Sequence, residues 1–337
     1  MLLRMTMLRR ACLLLFPLFS LTACIDNGGI EDRFVTYAGR LANVLEVDAP
    51  TPPTSFAITL EDKRQLYSEL PRLSLGLLDS YELRDCGLFQ IVAEKNSSLG
   101  KVWDQFQDFD YQLRLSDTLS RCLMSDSLSA RLRAQLDDLA KIKQDHLSVH
   151  LRNLILTSDA MRKQLSGHQW LVEGQQSQWS EINSALSIFA QIGAAITADE
   201  PVTLLVYPYQ EALERSPLIG ALYYSLQRST RWLNLTTDML SKHISSIHCG
   251  PNRDQTRFNY LRNVFHEYYI KSIQAYNAEL DAAYYQLNNH LPIIIAAFEE
   301  QNSAYRLQEA HQEFRQANLE HIQFWQQLFQ RCQNPVQ

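Results

Sequence analysis

Asp254–Asn289, DQTRFNYLRNVFHEYYIKSIQAYNAELDAAYYQLNN, is the longest stretch of the chain that keeps a single hydrophobic period. Phe258, Leu261, Phe265 and Tyr268 lead it, and Tyr276, Leu280, Ala283 and Leu287 continue it, each set at steps of three or four. That pattern is one face of an α-helix, roughly 50 Å long at about 1.5 Å per residue.

The same period recurs on either side. Phe34, Ala38, Leu41 and Leu45 predict a helix over Glu31–Glu46. Apolar residues crowd Pro71–Ala93, and Val102, Phe106, Phe109 and Leu113 start another helix that runs to about Met124. Leu128, Leu132, Leu136 and Leu139 follow, with Ser127 placed to cap them. Ser158 is a second candidate cap, before Asp159. Gln175–Ala198 and Leu218–Ile247 read as helices, the latter closed by Gly250 and Pro251. Beyond Pro292, Ile293–Gln316 and Ala317–Cys332 complete the chain. Pro50, Pro52 and Pro53 make residues 48–55 an extended linker, and Ile58 and Leu60 a short extended piece. Residues 202–207 read as irregular or as a short extended piece, and Leu147–Leu156 fits helix or strand. The expected fold is all-α, an elongated multi-helix bundle of about eight to ten helices without significant sheet. Residues 31–337 form one helical domain, and 199–217 is where two lobes would meet.

The N-terminus addresses location. Arg4, Arg9 and Arg10 precede the apolar run Ala11–Phe19, and Leu21-Thr22-Ala23-Cys24 follows. A positive region, a short apolar core and a small residue before the cut describe a secretory signal peptide over residues 1–23. The Cys24 thiol is then the group that carries diacylglycerol, with residues 24–30 as a tether. Two or three acyl chains, palmitate or similar, give stable membrane anchoring where one does not. Asp26 stands third in the mature chain rather than second, which favours the periplasmic face of the outer membrane over the inner membrane. Loss of the leader removes three arginines and no acid, taking the net charge from −6 to −9. Such a chain gains nothing from phosphate attraction, so nucleic acid is excluded as a partner, and the acyl chains, not charge, must hold it to lipid.

Cys12 leaves with the leader, so Cys86, Cys122, Cys249 and Cys332 remain beside Cys24. An even count in an oxidising compartment indicates two disulfides. Of three pairings, Cys86–Cys122 and Cys249–Cys332 are favoured, because each lies within one half of the chain.

Catalytic motifs are approached and missed. His266-Glu267 opens like a zinc-protease helix, but Ile270 stands where the second histidine belongs. Ser98-Leu99-Gly100-Lys101 ends like a phosphate loop, but Val102 replaces the magnesium-binding hydroxyl. His146 and His150 share a helix face and His243 and His248 flank Cys249, yet a metal needs three or four ligands; no metal or other cofactor is expected. Glu94, Lys95, Asn96, Ser97, Ser98 and Lys101 form the densest polar cluster. They serve either as a ligand site or, the favoured reading, as caps for the flanking helices. The doublets Tyr223-Tyr224, Tyr268-Tyr269 and Tyr284-Tyr285 should each have one ring buried and one exposed, or else line a groove.

The runs Tyr37–Leu45, Pro71–Leu78, Cys86-Gly87-Leu88 and Glu94–Val102, with Leu261–Phe265, Tyr269-Ile270 and Ile273–Tyr276, resemble the blocks of a family of proteobacterial lipoproteins of unknown function. The resemblance spans the mature chain and implies a periplasm-facing lipoprotein without an assigned activity. The reading that follows is a non-enzymatic envelope lipoprotein, a binding or scaffolding factor for a periplasmic protein partner. The alternatives are a carrier or sensor with an apolar or aromatic ligand between its helices, or an enzyme built on Glu94 and Lys95.

Overall fold

The computed structural model describes residues 29–71, 82–250 and 253–333. The leader, Cys24, most of the tether and the first part of the expected Pro71–Ala93 helix lie outside them. The described helices are α1 Ile30–Leu45, α2 Lys63–Leu66, α3 Leu88–Asn96, α4 Gln105–Leu123, α5 Ala130–Thr157, α6 Asp159–Leu165, α7 Gln176–Thr197, α8 Gln210–Arg215, α9 Leu218–Lys242, α10 Thr256–Val264, α11 Gln274–Leu287, α12 Leu291–Glu299 and α13 Leu307–Gln333. No strand occurs among the described residues; a lone antiparallel bridge joins Ile58 to Gly167. The fold is all-α.

Three hydrophobic clusters fill the interior. The largest gathers α5, α6, α7, α11 and α12 with the first halves of α4, α9 and α13. A second collects α1, α10 and the second halves of α9 and α13. A third, smaller one lies under α3, the end of α4 and the start of α5. Four long helices therefore pass from one cluster into another, and α9 is the spine. It buries Leu222 and Leu226 in one core and Trp232 and Leu240 in the other, and packs along α13. The disulfides bind the periphery: Cys86–Cys122 ties the approach of α3 to the end of α4, and Cys249–Cys332 ties the loop after α9 to the end of α13. They close loops of 36 and 83 residues, worth about 4 kcal/mol each if chain entropy alone acts.

Several boundaries differ from expectation for physical reasons. Gly87, at φ 84°, stands before α3 rather than inside a helix. Val102 is 76 % exposed and belongs to a short 3-10 turn; α4 starts at Gln105, capped by Asp104. Ser129, not Ser127, caps α5, which runs unbroken through Leu147–Leu156. Ser158 caps α6 as expected. α9 stops at Lys242, before Gly250. Pro292 falls in the first turn of α12, where it costs no hydrogen bond. The last two helices part at residues 300–306, where Asn302 takes a left-handed conformation.

The long periodic stretch holds a π-helix, Phe265–Ile273, between α10 and α11. Leu261, Phe265, Tyr269 and Ile273 are all buried at a strict spacing of four. An α-helix of about 3.6 residues per turn rotates such a series away by about 40° at each step. The wider π turn, rare and usually short, returns it to one face. Tyr269, fully buried, thus replaces Tyr268 as the inward ring. Tyr284 is buried and Tyr285 exposed, but Tyr223 and Tyr224 are both buried, because α9 is covered on nearly every side. Tyr223 meets Tyr305 edge-on, and Tyr224 lies against Phe56 and Trp170; these rings pack against neighbouring rings.

Two polar knots sit in this interior. Glu31 on α1 accepts from Arg228 Nε at 3.0 Å and Nη2 at 2.6 Å, and from the indole N–H groups of Trp170 and Trp232 at 2.9 and 2.7 Å. Arg228 Nη1 donates to the carbonyls of Pro53 and Thr54. In the second knot, fully buried His321 contacts the Tyr37 hydroxyl through Nε2 at 2.9 Å and Thr237 through Nδ1 at 2.8 Å. The Trp325 N–H points at both Tyr37 and His321 Nε2, 3.1 Å from each.

Burial pushes the His321 imidazole down to about 3 from 6.5. Below its unfolded pKa the unfolded chain takes a proton that the folded chain refuses. Stability supported by neutral His321 is therefore present above about pH 6.5 and is lost as pH falls toward about 3. Urea unfolding at pH 7.5 and pH 5.0 should show His321→Gln losing about 2 kcal/mol less over that interval than the parent protein. An equal loss in both would show that His321 does not carry the acid sensitivity.

Candidate functional site

The polar block after α3 folds back on itself. The Ser97 hydroxyl donates to the Glu94 carbonyl at 2.7 Å and accepts from the Gly100 N–H at 3.0 Å. A Cβ on Gly100 would lie 2.3 Å from the Glu94 carbonyl oxygen and 2.5 Å from that of Lys95. Only glycine permits this approach. Asp104 then accepts from the N–H groups of Phe106 and Gln107 while Gln107 accepts from Asp104 N–H, a capping box that fixes the first turn of α4.

With both backbones fixed, the side chains converge across α3 and α4. Arg114 donates to both oxygens of Glu94 at 3.1 Å, a fork-on-fork pair. The Lys95 ammonium bonds Asp108 and lies 4.9 Å from the centre of the Trp103 ring and 5.7 Å from that of Tyr111. Asp110, on the buried side of α4, accepts from Val206 N–H at 2.8 Å and Tyr207 N–H at 3.1 Å, and so holds the segment before α8 against the helix. Burial raises the Asp110 carboxyl above its ordinary value, against the lowering by those two N–H groups.

These groups enclose a cleft of about 240 Å³, lined by Glu94, Trp103, Gln107, Asp110, Arg114, Leu205 and Tyr207. Leu205 and Tyr207 stand 41 % and 48 % exposed at its mouth. The Glu94–Arg114 pair is itself about half exposed. Such a pair contributes only about 0–1 kcal/mol and can exchange partners at little cost. Two carboxylates and one guanidinium leave the cleft formally anionic, between aromatic walls. That chemistry recognises a cation beside apolar groups; the carboxylates already hold N–H partners and no nucleophile stands beside a base.

Of the residues singled out in the sequence, Glu94 lines this cleft, Lys95 supports its Trp103 wall, and Ser97 serves the turn. Lys101 is exposed, as are Asn96 and Ser98. Trp103, Asp110, Arg114, Leu205 and Tyr207 were not legible as site residues. The available signal was the Asp104-x-x-Gln107 cap and an aspartate at position 110 beside Phe106, Phe109 and Leu113 on the apolar stripe. His146 and His150 lie elsewhere on α5; burial, with Lys143 nearby, lowers His150 to about 4. His243 and His248 bind local carbonyls, and Cys249 is bonded to Cys332. Among the described residues no group of three or more His, Cys, Asp or Glu side chains is placed to hold a metal ion.

Gly100→Ala should destabilise the protein by about 2–3 kcal/mol, because a backbone carbonyl cannot yield as a side chain does. Urea unfolding measures this; a cost below about 0.5 kcal/mol would show that the turn relaxes freely.

No curated protein and no solved structure matches the chain. The profile of the family described as "Protein of unknown function (DUF3080)" matches residues 34–335. Running from α1 to the end of α13, that match makes the chain a member of this family of unknown function.

Proposed function

We propose that the protein is a non-enzymatic, lipid-anchored factor of the bacterial envelope that binds a periplasmic protein through the Trp103–Tyr207 cleft. The observation that carries this reading is the joint exposure of Leu205 and Tyr207 beside the half-exposed Glu94–Arg114 pair. Apolar anchors with a loosely held charge at their centre suit a partner that presents a lysine or arginine flanked by apolar side chains. The acidic body, −9 after loss of the leader, favours a basic partner surface. The two disulfides accord with an oxidising compartment. No described helix is long and apolar enough to cross a membrane, and the leader that ends just before Cys24 supports acyl anchoring on the periplasmic side of the outer membrane.

Cell fractionation of Cys24→Ser should move the protein from membranes to the soluble periplasm; retention in the membrane would contradict acyl anchoring. A photo-crosslinking amino acid at position 205 should capture one protein in cells, and the same probe at exposed position 319 should not. Tyr207→Ala and Glu94→Gln should each reduce capture at least fivefold with the helical circular dichroism signal unchanged. Capture insensitive to both substitutions would contradict a partner in this cleft.

A further inference from the structure

A second cleft, of about 480 Å³, lies away from the Trp103–Tyr207 site. Ile58, Trp170, Val172, Pro217, Leu218 and Ala221 supply its apolar lining. Lys163, His168 and Gln169 add polar groups to the lining, a mainly apolar site with a few polar groups of the kind that holds small amphipathic molecules. The cleft is built by the backbone. Ile58 N–H donates to Gly167 O at 2.7 Å and Gly167 N–H to Ile58 O at 3.1 Å. Gly167 then lies directly on Gly220 of α9, where a Cβ on either glycine would fall 2.5 Å or less from the other segment's backbone. Val172 stands 64 % exposed, so an apolar side chain faces water at the rim.

The described chain begins beside this cleft. Trp170, one of its walls, donates its indole N–H to Glu31 at 2.9 Å and stacks on Phe34 at 5.5 Å. Ile30 packs into the same clusters as Trp170. Gly29 is five residue steps from Cys24, so the reach between them is at most about 18 Å even on a fully extended tether.

We infer that the cleft between the Ile58–Gly167 bridge and the start of α9 seats one acyl chain carried by Cys24. The inference rests on the reading that Cys24 is acylated. A bacterial lipoprotein cysteine with a diacylglycerol thioether and an acylated amine carries three chains, and two suffice for stable anchoring. The third can leave the bilayer for a protein cleft without releasing the anchor. Seated there, it draws the helical body onto the membrane surface with its α1 end inward.

Cells fed a diazirine-bearing fatty acid supply the probe. The full-length protein is irradiated in membranes, extracted and digested, and its N-terminal peptide is weighed to read acylation separately. The lipidated N-terminal peptide should crosslink to peptides containing residues 57–59 and 166–172. Val172→Asp, at an exposed position, should reduce those crosslinks at least fivefold, and Ala221→Trp should do the same by filling the cleft, with acylation and helical content unchanged. An acylated N-terminus that crosslinks only to phospholipid or to scattered surface peptides would overturn the inference and leave the anchor standing. Crosslinks at 57–59 and 166–172 that carry phospholipid mass alone would overturn it in favour of a membrane lipid. An unacylated N-terminus would overturn both.

Discussion

The structure depends on a guanidinium that has almost no access to water. Arg228 lies on α9, the helix that passes through both large cores, and its side chain is 7 % exposed. A charge so placed is tolerated only when paired and hydrogen-bonded. Burial would raise the Glu31 carboxyl; the hydrogen bonds from Arg228 and Trp232 outweigh burial and hold it below its usual value. The carbonyls of Pro53 and Thr54 take the remaining guanidinium fork. Four separate pieces of chain must therefore meet at one point: the first turn of α1, the proline linker, the segment carrying Trp170, and α9. Replacing the pair with apolar residues would not cost much stability in principle. What the pair supplies is geometry, because the Arg228 charge cannot be buried unless Glu31 arrives.

That geometry joins the first turn of α1 to α9. Glu31, one half of the pair, directly follows Ile30 in the first turn of α1, so the pair fixes the start of the described chain. The apolar cleft beside Trp170 lies at this junction. The Trp103–Tyr207 cleft is built by other elements, α3, α4 and the segment before α8, and is fixed by Asp110 rather than by Glu31. The two clefts are thus structurally independent, and a change in one need not disturb the other.

Much of this was legible in the sequence. The steps of three and four that placed Phe34, Leu41 and Leu45 inward describe α1 almost to the residue. The two disulfides link the pairs favoured by their position within each half of the chain. Local rules failed where a tertiary contact decided the outcome. Val102 matched the period of α4 but is exposed, because Asp104 begins the helix after it. Tyr223 and Tyr224 are both buried because α9 has neighbours on almost every side, which a single-helix pattern does not encode. The four-residue spacing through Tyr269 contained the π-helix, but only as a drift in phase. The clefts were hidden more deeply. Trp170 and Tyr207 stand in segments without a period, and their roles come from partners more than ninety positions away, Glu31 and Asp110. One hint was local: Asp110 is a charge set between Phe109 and Tyr111.

The most direct test of this account is a double-mutant cycle on Glu31 and Arg228, read by urea unfolding. Glu31→Gln should cost about 3–5 kcal/mol, since it strands the buried Arg228, and Arg228→Met about 1–3 kcal/mol, since the Glu31 side chain stays 28 % exposed. The double variant should cost far less than their sum, a coupling of about 2 kcal/mol or more. Single costs below about 1 kcal/mol, or simple additivity, would contradict the claim that this pair joins the start of the fold to its spine.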